Sequence, residues 1–160
     1  MRSFRLFVDL DGVLADFDRG VYEATGRYPS QMSDREMWPL VAKTAGFYDR
    51  LPWMQDGRDL WEFVAPFKPI ICTGLPRGNW AEPQKRQWCR RELGGDIPVV
   101  TCQSREKGQA IQEFLDVNET AVLIDDRLKS QPSWVELGGV FILHTSAAES
   151  IRALRELGLA

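Results

Sequence analysis

The sequence predicts an α/β domain of three layers, with a mostly parallel five-stranded sheet held between helices. Two observations predict it. Five short apolar runs, residues 4–10, 68–73, 97–102, 120–125 and 139–144, are rich in Val, Ile, Leu or Phe and bounded by Gly, Pro or polar residues. They are nearly continuous in apolarity rather than alternating, the pattern of strands buried on both faces of a parallel sheet. Helix-like segments follow in the intervals, and strands alternating with helices build a sheet covered on both sides.

Taken in order, the first run, FRLFVDL, ends in Asp9-Leu10-Asp11-Gly12. A long excursion follows, residues 18 to about 56, carrying Trp38, Phe47, Tyr48 and Trp53 and the helical patch 33–46. Ser33 with Glu36 fits a capping box at the start of that patch. An insertion of this length directly after the first strand is expected to sit above the sheet edge as a small helical cap. Residues 57–67 read as a helix with Asp56 at its N-cap. The second run, KPIICT, leads to residues 79–93, a helix stopped by Gly94-Gly95. Residues 105–115 and 146–158 are the remaining helices, placed before the fourth strand and after the fifth. No repeat, low-complexity tract or linker divides the chain. The expectation is one domain, residues 1–160, with a Rossmann-like core of 1–17 and 57–160.

Composition narrows the function. A chain of 160 residues, 44% hydrophobic and 27% charged, can bury a sizeable core. Its net charge of −3 argues against binding a nucleic-acid polymer, which calls for a basic surface. A small anionic ligand needs only a few local cations or one metal ion. Three cysteines without framework spacing, two of them in apolar runs, fit free thiols in a reduced compartment. Aspartates interrupt the N-terminal apolar run too early for a signal peptide, and no run approaches a membrane span. A cytoplasmic protein without membrane partners is expected.

The strand ends carry the chemistry. Ligands of parallel α/β sheets bind outside the carboxyl ends of the strands. Here those ends offer Asp9 and Asp11, then Thr73-Gly74, then Lys107 after the third strand, then Asp125-Asp126. Residues two apart on a strand share a side, so Asp9 and Asp11 are expected to face one cleft, with Gly12 allowing a sharp turn. Clustered carboxylates repel unless a cation sits among them or one stays protonated. A hard dication with oxygen ligands, Mg²⁺ foremost, resolves the conflict. Such a set can bind a phosphate, with one carboxylate free to attack phosphorus, Thr73 donating to the phosphoryl group and Lys107 compensating its charge.

These residues also carry a resemblance. DLDGVLADF, ICTG, the lysine of SREKG and LIDD resemble, in order, the four motifs of the haloacid dehalogenase superfamily. With KRQWCRRELG, LIDDR and PSWVELGGVFILHT added, the chain is most similar to the 5'(3')-deoxyribonucleotidases over residues 4–18 and 68–145. The resemblance implies Asp9 as nucleophile and Asp11 as the acid that protonates the leaving oxygen and then activates water. It implies Mg²⁺ held by Asp9, the Asp11 carbonyl and Asp126, with Asp125 supporting. It implies Thr73, Gly74 and Lys107 at the phosphate, Arg77 gripping the substrate, and Phe17 lining a base pocket. Trp38, Phe47 and Tyr48 of the cap are the further expected substrate contacts, and such aromatics are more often cap core than a stacking platform. Gly74 departs from the family, which carries a serine there, so one phosphate-side hydroxyl is missing. The implied activity is Mg²⁺-dependent hydrolysis of a small phosphate ester, a (deoxy)nucleoside monophosphate above others. The alternatives are another small phosphorylated metabolite, or a silent phospholigand-binding protein on the same fold.

Other readings of the same residues are weaker. An EF-hand loop fails because Val13, Leu14 and Gly20 occupy required positions. CTGLPR places four residues between Cys72 and Arg77 where a cysteine-phosphatase loop needs five. Lys85, Arg86, Arg90 and Arg91 read as a solvated helix face. His144, the sole histidine, reads as structural.

Overall fold

The computed structural model describes residues 3–160, so the first two positions of the expected core range lie outside the described residues. Five strands form one sheet: β1 (Ser3–Val8), β2 (Ile70–Gly74), β3 (Val99–Cys102), β4 (Glu119–Asp125) and β5 (Val140–Leu143). Their order is β3-β2-β1-β4-β5, and every pairing is parallel. The first strand is therefore central, and its carboxyl end opens between those of β2 and β4. That is the switch point at which such sheets take ligands.

Seven α-helices occur among the described residues: α1 (Phe17–Thr25), α2 (Asp34–Lys43), α3 (Gly57–Val64), α4 (Ala81–Glu92), α5 (Lys107–Ala110), α6 (Gln131–Glu136) and α7 (Ala147–Glu156). Alternation along the strands divides the core into two layers. Leu6, Val8, Ile71, Val122 and Ile124 pack with Leu60 and Val64 of α3, Trp88 of α4 and Leu154 of α7. Phe7, Ile70, Cys72 and Leu123 pack on the other face with Ile111 and Trp134. Burial on both faces is why the strand sequences lack polar alternation.

Several local expectations hold in detail. Ser33 and Glu36 form the reciprocal capping box, with Glu36 N donating to Ser33 Oγ at 3.2 Å and Ser33 N donating to the Glu36 carboxylate at 3.3 Å. Gly94, at φ 115°, follows α4 as its stop. Others differ. Asp56 precedes α3 without capping it; its Oδ2 instead accepts from Ala147 N at 2.7 Å, tying the start of α7 to the approach to α3. The helix expected over 105–115 is broken into a 3₁₀ turn, the four-residue α5 and a second 3₁₀ turn. At Gly108 a side chain would overlap the Ser133 carbonyl, so this segment follows the surface of α6 rather than a regular helix. The short α6, opened by Pro132, is an element beyond those expected.

The excursion after β1 contains α1 and α2 and returns to the core through a narrow neck. Asp16 N donates to Pro52 O at 2.8 Å, Met54 N donates to Leu14 O at 2.7 Å, and Ala15 bridges Trp53 in antiparallel fashion. Phe17 packs against Trp38, Phe47 and Tyr48, with ring centroids 5.8, 5.5 and 6.1 Å away. Among the described residues no helix is long and apolar enough to cross a membrane.

Candidate active site

The turn after β1 builds the centre of the site. The strand ends at Val8, and Asp9 continues its direction by donating its N–H to Ile124 O at 2.9 Å. The chain then coils: Leu14 N and Ala15 N both donate to Leu10 O at 2.9 Å, and Gly12 N donates to Ala15 O at 2.8 Å. Asp11 is thus placed by a turn, not by strand alternation as the sequence suggests. Gly12 has φ 82°, and a Cβ there would overlap the Asp126 carboxylate. Only glycine allows both the left-handed turn and the approach of the β4 loop.

Two lysines hold the carboxylates from opposite layers of the molecule. From the α5 side, the Lys107 ammonium donates to Asp9 Oδ1 at 3.0 Å and to Asp125 Oδ2 at 2.8 Å, with all three groups buried. From α4, Lys85 donates to Asp11 Oδ2 at 2.7 Å, to Thr73 Oγ1 at 3.0 Å and to the Gly74 carbonyl at 2.6 Å. Lys85 also lies over the Tyr48 ring of the inserted segment, 4.6 Å from its centroid. It is only 1% exposed, which overturns the solvated-face reading for this residue; Arg86 is half-buried and donates to the Val99 carbonyl at 3.1 Å, whereas Arg90 and Arg91 are exposed as expected. Ala81, Lys85, Trp88 and Cys89 are the buried positions of α4. Their spacing marks a core-facing stripe, and that stripe is the sequence signal for Lys85.

The electrostatics follow from burial and crowding. Burial and the neighbouring Asp125, Asp126 and Asp11 charges raise the Asp9 carboxyl well above the usual range, against the pull of Lys107. Burial and Asp125 likewise raise Asp126. Asp125 faces the same ammonium and yet moves down, because Lys107 and the Arg127 backbone N–H together outweigh its burial. The carboxylates of Asp9, Asp125 and Asp126 each offer an oxygen within 4.8 Å of the others. Asp11 Oδ1 and Asp126 Oδ1 are buried without a hydrogen-bond partner. An all-oxygen donor set with unsatisfied buried carboxylate atoms fits a hard dication such as Mg²⁺.

A cavity of about 450 Å³ opens over these groups, within the range of small-ligand sites. Asp9, Asp11, Gly74, Lys85, Ser104 and Asp126 lie along it; Phe17, Met37, Trp38, Tyr48 and Met54 form its apolar wall. Arg127 and Lys129 add positive charge at the rim, whereas Asp16, Asp18 and Asp34 add negative charge.

The expected residues fall into three groups. Asp9, Asp11, Asp126, Gly74, Phe17 and Trp38 line the cavity. Thr73, Lys107 and Asp125 stand behind it, fully buried and bonded to its walls. Arg77 and Phe47 are not brought in. Arg77 is exposed in the loop after β2, where its carbonyl accepts from Trp80 Nε1 at 3.1 Å. Phe47 is 3% exposed and packs beneath Phe17; its neighbour Tyr48 turns towards the cavity instead. Cys72 is unsuited to nucleophilic work: the hydrogen bond to Cys102 and burial push its thiol well up. His144 is structural, buried with Nδ1 2.7 Å from Ser150 Oγ.

Neither a protein-family sequence model nor a curated protein sequence matches the chain. Solved structures do. A haloacid dehalogenase-like family hydrolase from Streptococcus pneumoniae superposes with a TM-score of 0.61 at 15% identity, covering 94% of this chain and 90% of that one. A predicted phosphatase from Clostridium acetobutylicum gives 0.61 at 13% identity, covering 98% and 97%. L-2-haloacid dehalogenase from Xanthobacter autotrophicus gives 0.57 at 11% identity, covering 99% and 84%. Proteins of such different activities share the architecture, so the architecture alone does not choose a reaction. With its all-parallel sheet, central first strand and helices on both faces, the chain has the haloacid dehalogenase-like fold.

Proposed function

We propose that this chain is a phosphate monoester hydrolase that works through an aspartyl-phosphate on Asp9, with a (deoxy)nucleoside monophosphate as its substrate. The observation that carries the reading is the pairing of two differently held carboxylates at one cavity floor. Asp9 is fixed by Lys107, while Asp11 keeps Oδ1 unpartnered and Oδ2 on Lys85.

An Asp9 oxygen attacks phosphorus as the ester P–O bond breaks, and Asp11 gives the leaving alkoxide its proton. Water then attacks the phosphoaspartate, passing a proton to Asp11 and releasing phosphate and free Asp9. Lys107 orients Asp9 through both stages. Lys85, donating to Thr73 Oγ1, occupies a lone pair of that hydroxyl and leaves its proton free to donate elsewhere. Asp9, the Asp11 carbonyl and Asp126, supported by Asp125, would hold Mg²⁺, which when bound neutralises charge on the phosphate.

Structural neighbours described as a hydrolase and a predicted phosphatase support the reaction class. Support for a nucleotide comes from the wall of Phe17, Trp38 and Tyr48, flat faces against which a base stacks. On this reading residues 18–56 are a cap that selects the substrate, and the free thiols suit a cytoplasmic setting.

The test is phosphate release from deoxy- and ribonucleoside 5'- and 3'-monophosphates and a generic aryl phosphate, with and without Mg²⁺, beside Asp9→Asn. Metal-dependent release from nucleotides, absent in the variant, is the expected result. Release from the aryl ester alone removes the nucleotide, and silence on every ester removes the hydrolase.

A further inference from the structure

Gly74 closes β2 at the edge of the cavity, and its backbone is not left-handed, so its conformation does not require glycine. Its surroundings require it only while the Ser104 side chain keeps its present position. A Cβ built on Gly74 would overlap Ser104 Oγ, and Ser104 Cβ would lie 3.2 Å away. Ser104 reaches this position because β2 and β3 bring the two loops together. Gly74 pairs in register with Cys102, and Leu75 N donates to Cys102 O at 2.9 Å. Ser104 then opens the 3₁₀ turn that runs into Lys107.

Among the described residues that line the cavity, Ser104 carries the only aliphatic hydroxyl. The Thr73 hydroxyl is buried behind the wall against Lys85, and the Lys107 ammonium is divided between Asp9 and Asp125. Near the β2 end of the cavity, the side-chain donors facing open space are therefore few. We propose that Ser104 is a substrate-binding residue, its Oγ–H donating to a phosphoryl oxygen of the bound ester, and that Gly74 lacks a side chain so that this hydroxyl can enter. This rests on the phosphate-ester reading above. Ser104 forms no covalent bond in the cycle and keeps its proton.

The experiment compares wild type, Ser104→Ala, Gly74→Ser and the exchange Gly74→Ser/Ser104→Gly. Thermal midpoints, ester kinetics and calorimetric binding of inorganic phosphate with Mg²⁺ are measured for each. Ser104→Ala is expected to keep its midpoint while KM and the phosphate Kd rise roughly tenfold, the loss of one hydrogen bond to a charged group. Gly74→Ser alone is expected to turn the Ser104 hydroxyl out of the cavity and weaken phosphate binding, and the exchange to recover most of it. Unchanged KM and phosphate Kd in Ser104→Ala overturn the assignment while leaving the hydrolase intact. A harmless Gly74→Ser overturns the argument from space. If wild type turns over no ester, the phosphate Kd still decides: weaker binding in Ser104→Ala supports the contact, whereas equal or absent binding removes it.

Discussion

Replacing Lys85 by methionine keeps the length of a fully buried side chain and removes its charge. The ammonium makes three hydrogen bonds, to the Asp11 carboxylate, the Thr73 hydroxyl and the Gly74 carbonyl, at 2.7, 3.0 and 2.6 Å. At an effective dielectric near 20 the attraction to Asp11 is about 6 kcal/mol, most of it offset by the cost of burying the amine. Removing one partner of a buried pair costs about 3–5 kcal/mol. Asp11 retains 25% side-chain exposure, so water can repair part of the loss and the lower end applies. A loss of about 3 kcal/mol corresponds to a fall of roughly 6–12 °C in thermal midpoint for a domain of this size. The assay is a double-mutant cycle by chemical denaturation with Lys85→Met, Asp11→Asn and the pair, which requires no knowledge of the substrate. A coupling of about 2 kcal/mol is expected, because either single change strands the other group. Additive effects, or a Lys85→Met protein as stable as wild type, would refute the role given to this lysine.

Gly12→Ala should be among the most damaging small substitutions in the chain. It forces a left-handed φ on a side-chain-bearing residue and drives its Cβ into the Asp126 carboxylate, a loss of about 2 kcal/mol or more that a denaturation midpoint would record. An equally stable variant would show that the two loops part without cost. His144 sets an acid limit on stability: burial lowers its pKa from 6.5, against the pull of Asp56 and Asp125. Its contribution is fully present above the unfolded value and is lost as pH falls through the lower folded value. Between pH 7 and pH 5, therefore, wild type should lose more stability than His144→Gln, and parallel pH profiles for the two would contradict this.

What the sequence reveals tracks how directly each feature depends on neighbours in the chain. The apolar runs disclose the strands, and the strands disclose which aspartates stand at their ends, so Asp9, Asp125 and Asp126 are legible one motif at a time. Asp11 is found for an incomplete reason, since a turn capped on Leu10 O, rather than strand alternation, places it. Lys85 is hidden because a lysine among arginines resembles a solvated face. Only its spacing from Ala81 and Trp88 betrays the buried stripe. Phe47 and Tyr48 are adjacent aromatics, and which of them turns to the cavity is decided by packing around Phe17. Ser104 depends on register between β2 and β3, a tertiary fact that no local pattern encodes.

The neck at Ala15 and Trp53 gives the inserted segment the topology of a hairpin tip, however many residues it holds. Its two legs are already stitched by backbone hydrogen bonds at Asp16 and Met54. A different loop or helical pair spliced between those legs would leave the β1 and Leu10–Ala15 backbone stitched, provided its base keeps the contacts of Tyr48 and Leu51 with Gln84, Lys85 and Trp88 of α4, and the entropic penalty of a longer tip grows only logarithmically. The clustered carboxylates lie below the stitch, and the aromatic side of the cavity formed by Phe17, Trp38 and Tyr48 lies above it. On the proposed reading, substrate choice would be rewritten in the stretch above the neck while Asp9 and the Leu10–Ala15 turn below it keep their backbone bonds.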